Sequence, residues 1–249
     1  MATLERLDKV KQPVAQRNLR LLVTGCARSG TKFTAFLLQR LKINAPHERL
    51  GRDGICSWTM AVPCEKRPFG PPTSRVSFEE VFHQVRDPLA VMRSSTTLTA
   101  DSWEFIHQHI GSPDAAHPIV RAARYWLLWN EAAERMATWR YRVEDLQRDY
   151  SEFCDRVSVE PNTALIDSIP RDFNTRKSGR SLHLAEEFYR RLGLNLPSGL
   201  RSTLARPREH PALSWETLRA LDPVLCEQVQ AKAAGYGYPT FSNYDPYEA

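Results

Sequence analysis

The stretch Arg20 to Leu38, RLLVTGCARSGTKFTAFLL, constrains this chain more than any other. Leu19 to Thr24 is a short apolar run with β-branched members, the pattern of a buried strand. A loop bounded by Gly25 and Gly30 follows, and then a helical pattern through Arg40. Strand, glycine-bounded loop and helix together present backbone N–H groups to an anion, and the helix N-terminus adds partial positive charge. The first glycine permits a sharp turn and the second a close approach of backbone to ligand. The loop departs from a Walker A motif, GxxxxGK[ST]. Thr31 holds the lysine position, Lys32 comes one residue late, and the first cation, Arg28, stands inside the loop. The sequence therefore predicts a phosphate-type ligand other than ATP or GTP.

A second such unit lies at Val81 to Leu98. Val81–Val85 has a strand pattern ending at Arg86. Asp87 is placed to cap a helix with Pro88 as its first residue. An arginine at a strand end offers a bidentate grip on a phosphate, and a hydroxyl from the next helix, Ser94, completes it. The other reading of Arg86-Asp87-Pro88 is a structural turn with an Arg–Asp pair.

These two stretches resemble the motifs of sulfotransferases that use 3′-phosphoadenosine 5′-phosphosulfate, of the bacterial and cytosolic type. Arg28-Ser29-Gly30-Thr31-Lys32-Phe33 is similar to the family's 5′-phosphosulfate loop. The resemblance implies that Arg28 is the cation bridging the phosphosulfate and that Thr31 and Lys32 contact the 5′-phosphate. Phe33 takes the place where some cytosolic members stack a Trp on adenine. Lys32 departs from the second Thr of many members. RDPLAVMRS resembles the second motif, in which an Arg and a Ser eight residues later hold the 3′-phosphate, here Arg86 and Ser94. The basic loop Arg176-Lys177-Ser178-Gly179 is similar to a loop that closes over the same phosphate, with one residue more; a solvated charged face is the other reading of it. Tyr-Arg-Val-Glu-Asp-Leu (141–146) is similar to the family's strand-to-helix junction with Val143 in place of Tyr. Glu144 and Asp145 are read there as helix-start capping. The tail with Asp222, Pro223, Gly235 and Tyr236 is similar to the end of bacterial members.

The fold this implies is α/β: a single three-layer domain over residues 1–249 with a central, mainly parallel sheet, P-loop-like, and residues 1–18 a frayed arm. Strands are expected at 19–24, 42–45, 81–85 and 139–143, with a turn or short helix at 78–80. Helices are expected at 32–41, 89–98, 119–137, 182–192 and from 214 to 233, with a loop or short helix at 103–109 and another helix opening at Glu144. Residues 47–77, rich in Pro and Gly yet anchored by Ile55, Trp58, Met60 and Val62, are read as an irregular segment lining a site. Trp126 and Trp129 fall on the apolar side of a long helix and are read as core.

The implied reaction is in-line transfer of a sulfuryl group to a hydroxyl or amine, leaving adenosine 3′,5′-bisphosphate. Such chemistry asks a protein for positioning and for cations aimed at developing charge; Arg28 is the expected cation. An acceptor needs a general base. Glu48 is the first candidate, His47 the second and Asp53 the third, the alternative for Glu48 being a pair with Arg49 or Arg52. His83, on a strand, is read as a satisfied core residue. No metal is expected, since the sequence carries no convincing ligand pattern. Two further readings stand beside this one: a P-loop small-molecule kinase, against which the Thr31-Lys32 order speaks, and a non-catalytic nucleotide-binding protein.

Net charge is +5, which suits an anionic ligand but is too spread to indicate nucleic acid. Five cysteines without C-x-x-C spacing point to reduced thiols rather than zinc or a disulfide framework. The first eighteen residues lack a signal-peptide core, and no window has the length of a membrane span. A cytoplasmic location is expected. The partner expected is an acceptor, whether carbohydrate, small molecule or peptide; its identity is not readable.

Overall fold

The computed structural model describes residues 17–111, 117–169, 189, 195 and 213–241. The described residues are mixed α/β around a parallel sheet of four strands: β1 (Arg17–Thr24), β2 (Gly54–Cys56), β3 (Val76–Val85) and β4 (Trp139–Arg142). Their spatial order is β2-β1-β3-β4. Leu22 pairs with Ile55 on one side and with Val81 on the other, and Phe82 pairs with Trp139. Parallel strands need crossover connections, which put helices on both faces and explain the nearly continuous apolar run of β1.

Helices α1 (Thr31–Arg40), α5 (Tyr150–Arg156) and α6 (Thr163–Asp167) pack with Leu21, Val23, Phe82 and Tyr141 on one face. Helices α2 (Pro88–Ser95), α3 (Ala100–Ile110), α4 (Pro118–Glu134), α7 (Trp215–Leu221) and α8 (Pro223–Gly235) share a second apolar cluster, with Val85. Side chains alternate across a strand, so β3 sends Phe82 and Gln84 toward α1 and Val85 toward α4. Trp126, Trp129 and Trp215 are fully buried, each contributing on the order of 2–3 kcal/mol by apolar burial. The two α4 tryptophans are core, as their spacing predicts.

The sheet order decides where a ligand can sit. From β1 the chain passes to β2 on one side, while β3 lies on the other, so the direction of winding reverses at the β1–β3 boundary. Beyond the carboxyl ends of those two strands a crevice opens. The Gly25–Gly30 loop follows β1 and Arg86 follows β3, so both stand at that crevice.

Four local expectations are corrected. Residues 42–45 do not form the second strand. Asn44 instead closes a tight loop, its N–H donating to Asp53 Oδ2 at 2.7 Å and its Oδ1 accepting from Arg52 N at 3.0 Å. The strand falls at Gly54–Cys56 because a Cβ on Gly54 would lie 1.8 Å from the Leu21 carbonyl oxygen. Residues 78–80 are strand, since β1 begins at Arg17 and templates β3 from Val76 onward. The last helix is two: Pro223 disfavours helical backbone at Asp222, which is extended (φ −156, ψ 94), and Asp222 Oδ1 caps α8 by accepting from Leu225 N at 3.0 Å. Glu144 opens no α-helix; residues 143–145 form one 3₁₀ turn, and α5 starts at Tyr150.

Asp87 accepts from Ala90 N at 2.8 Å and Ser214 from Thr217 N at 3.1 Å, so both caps stand as read. All five cysteines are free thiols. The readings at 1–16, 170–188, 190–194 and 196–212 lie outside the described residues, and Arg17 and Asn18, expected in the frayed arm, belong to β1.

Candidate functional site

The loop after β1 is shaped by two residues in left-handed backbone, Arg28 (φ 75) and Gly30 (φ 100). For a non-glycine residue this conformation costs on the order of 1–2 kcal/mol, and such residues collect at ligand sites. A turn closes with Ser29 N donating to the Cys26 carbonyl at 3.1 Å. Ala27 N donates to the Tyr125 hydroxyl at 2.6 Å. Among the described residues, the amides of Gly30, Thr31 and Lys32 donate to no protein acceptor. Three successive N–H groups at the start of α1 thus remain for an anion.

Gln84 holds the loop from beneath. Its Nε2 donates to the Ser29 carbonyl at 2.5 Å, and its Oε1 accepts from the hydroxyls of Thr34 at 2.5 Å and Tyr141 at 2.7 Å. One buried amide therefore ties β3 to the loop, to α1 and to β4. A Cβ on Gly30 would lie 2.9 Å from that Nε2.

Arg86 Nη1 donates to the Arg28 carbonyl at 3.1 Å, so the strand-end arginine docks on the loop itself. The next residue is clamped from two directions. Asp87 N donates to Glu144 Oε1 at 2.8 Å, and Glu144 Oε2 accepts from the Tyr238 hydroxyl at 2.8 Å. Glu144 is thus a bridge between the β3–α2 turn and the C-terminal tail, not the helix-start cap expected of it. Asp145 pairs with Arg142 and Arg148. Ser94 lies half-buried in the last turn of α2, and no contact among the described residues joins it to Arg86. Phe33 is partly buried against the apolar layer beneath α1. Arg176 and Lys177 lie outside the described residues.

His47 and Glu48 stand beside β2, the strand on the other side of β1 from β3. His47 makes an isolated parallel bridge to Cys56, and Glu48 N donates to the Cys56 carbonyl at 2.9 Å, which extends the β2 edge toward the loop. Glu48 has left-handed backbone (φ 56), and its Oε1 accepts from Trp58 Nε1 at 3.2 Å. Burial raises the Glu48 carboxyl above its ordinary value, opposed by the Trp58 hydrogen bond and by the charges of Arg28 and Lys32. Burial and the Lys32 charge lower His47 to about 4, which leaves it neutral at pH 7. The 3.7 Å approach of His47 Nδ1 to Glu48 Oε2 is then a contact with a neutral ring, not an ion pair. Both candidate bases share an electrostatic field with the loop cations. Asp53 does not; it is taken up by Arg52, which holds its carboxyl below the ordinary range.

His83 is fully buried, with Nε2 2.9 Å from Asn130 Oδ1, as expected of a core residue, although its Nδ1 has no partner among the described residues. Sequence reasoning missed Gln84, Tyr125 and Tyr238. The signal for Gln84 was present, as an amide inside the apolar strand VFHQV; the other two come from segments remote in sequence. No group of metal-ligating side chains occurs among the described residues. No helix among them is long and apolar enough to cross a membrane.

No family model matches the chain, and no curated protein matches it. Among solved structures it is similar to mouse sulfotransferase SULT7A1 complexed with PAP, at 13% identity over 89% of this chain and 87% of that one, with a TM-score of 0.41. It is also similar to the sulfotransferase domain of the Synechococcus PCC 7002 olefin synthase, at 13% identity over 88% of this chain and 95% of that one, with a TM-score of 0.36. Both neighbours are sulfotransferases.

Proposed function

We propose that the chain transfers a sulfuryl group from 3′-phosphoadenosine 5′-phosphosulfate to a hydroxyl or amine. The observation that carries this reading is the docking of Arg86 on the Arg28 carbonyl at 3.1 Å. It puts a strand-end guanidinium beside an anion loop that lacks the Walker lysine. A nucleotide with phosphates at both its 3′ and 5′ positions matches two cationic grips in one crevice; a nucleoside triphosphate, with one chain of phosphates, does not need the second.

In this reading the free amides of Gly30, Thr31 and Lys32 receive the 5′-phosphate. Arg28 and Lys32 face the charge that spreads over the equatorial oxygens and the leaving phosphate as the sulfuryl group departs. Arg86, with Ser94, holds the 3′-phosphate, and Phe33 flanks the base. Arg176 and Lys177 are assigned to the same phosphate. Glu48 takes the acceptor's proton as the new bond to sulfur forms. Its raised proton affinity suits a base at neutral pH better than the weakly basic His47 does. His47 is the alternative base. The donor nucleotide supplies the transferred group, and none of these steps calls on a metal ion. We assign the whole chain to a single domain.

Calorimetry tests the reading. Adenosine 3′,5′-bisphosphate should bind tightly and ATP with Mg²⁺ weakly. The reverse order would favour a kinase. Binding of the bisphosphate without turnover of labelled donor on any acceptor would leave a nucleotide-binding protein.

A further inference from the structure

Away from the loop, α3 and α4 enclose an open cleft of about 740 Å³ whose polar side chains carry no function so far. Trp103 and His107 stand four residues apart on one face of α3. Arg121 projects from the first turn of α4 and lays its guanidinium over the Trp103 ring, 4.3 Å from the centroid. Trp103 is 6% exposed. Three buried nitrogens have no hydrogen-bond partner among the described residues: Trp103 Nε1, His107 Nε2 and Arg121 Nε. Buried polar groups in folded proteins are nearly always paired, so three orphans around one cleft indicate a missing acceptor.

The chemistry of the cleft narrows the ligand. Trp103 Nε1 and Arg121 Nε are donors only, and a histidine nitrogen can donate. Arg121 has no carboxylate partner among the described residues, and the positive end of α4 lies beside it. The acid lining the cleft, Glu104, accepts from Gln108 Nε2 at 3.3 Å. Leu98, Ala100 and the Trp103 ring give an apolar wall. The volume exceeds what an inorganic anion fills and falls in the range of small organic ligands.

We propose that this cleft binds a small organic anion, its carboxylate or sulfate held by Arg121, Trp103 Nε1 and His107 and its apolar body on Leu98 and Ala100. The assignment does not rest on sulfuryl transfer. The cleft is two side chains from the loop, because Trp103 packs on Tyr125 with centroids 5.8 Å apart and Tyr125 accepts from Ala27 N.

Benzoate is the probe, with benzyl alcohol as its neutral counterpart and inorganic phosphate as the charge without the body. Titrated into the nucleotide-free protein, benzoate should bind saturably and shift one indole N–H resonance, the one absent from Trp103→Phe. Benzyl alcohol and phosphate should each bind at least about tenfold more weakly, and so should benzoate to Arg121→Gln. Arg121→Lys should recover part of the loss. His107→Gln, at a half-buried position, gives a second reading if Trp103→Phe does not fold, with benzoate affinity reduced. Benzoate that fails to saturate, that binds Arg121→Gln as it does the wild type, or that is matched by benzyl alcohol or phosphate would overturn the assignment.

Discussion

Arg86 and Arg28, 58 positions apart in the chain, meet through a 3.1 Å hydrogen bond from the Arg86 guanidinium to the Arg28 backbone carbonyl. That bond occupies one nitrogen of a fork with five N–H donors, so the rest of the guanidinium is available to a phosphate beside the loop. Arg86→Ala should weaken binding of adenosine 3′,5′-bisphosphate by about 2–3 kcal/mol, the scale of a charged hydrogen-bond partner. Calorimetry reads this as roughly a 30- to 150-fold rise in Kd. An unchanged Kd would remove Arg86 from the site.

Glu144 should act on the same site without touching the nucleotide. It fixes Asp87 N and is itself fixed by Tyr238. Glu144→Gln keeps the shape and one acceptor oxygen but replaces a charged acceptor with a neutral one. Bisphosphate affinity should fall by about 1 kcal/mol, and Tyr238→Phe should give a similar loss. In a double-mutant cycle the two losses should be less than additive. Additive losses would mean that the two residues act separately.

Gly30→Ala meets two obstacles. The backbone there is left-handed, and the new Cβ would stand 2.9 Å from Gln84 Nε2. Together these should cost about 1–3 kcal/mol of stability, visible in a urea midpoint. Loss of the loop shape should also reduce bisphosphate affinity more than Thr34→Ser, which keeps the hydroxyl on Gln84.

The proton affinity of Glu48 gives the acidic limb of the rate profile a direction. Its carboxyl lies above the ordinary value, mainly because it is buried. In the proposed reaction kcat/KM should fall as pH drops through that raised value, at a higher pH than a solvent-exposed carboxylate would give. Glu48→Gln should abolish the limb and reduce kcat by about 10²–10⁴. A limb that persists in Glu48→Gln and vanishes in His47→Gln would transfer the role to His47.

His83 governs acid stability. Burial lowers it to about 4 from an ordinary 6.5, against smaller opposing effects of Asn130 and Glu134. Because Asn130 Oδ1 is an acceptor, the proton of the neutral ring sits on Nε2, and further protonation would fall on the buried Nδ1. Between about 4 and 6.5 the unfolded chain binds this proton and the folded one does not. The contribution is therefore whole above 6.5 and declines as pH falls toward 4, by at most about 3 kcal/mol. Urea midpoints across that interval should slope less steeply in His83→Gln, whose amide can still donate to Asn130. Equal slopes would show that other groups carry the acid sensitivity.

Local sequence by itself determined the pieces of this protein with strong short-range signals. The β1 strand, the glycines of the loop, Asp87 and Ser214 as caps, and the buried face of α4 all follow from spacing and side-chain chemistry within a few residues. The glycine-bounded turn after β1 and the position of Arg86 at the end of β3 were legible for the same reason. Tertiary structure decided what depends on residues far apart. The second strand moved to Gly54 because only a residue without a Cβ can pass so close to Leu21. Glu144, which looked like a cap, became a bridge because Tyr238 and Asp87 arrive at it from opposite directions. The seating of the loop on Gln84, and the convergence of Trp103, His107 and Arg121 on one cleft, likewise depend on which strands and helices are neighbours. Periodicity specifies which face of an element is apolar, but not the element that covers it, and both sites are made at those junctions.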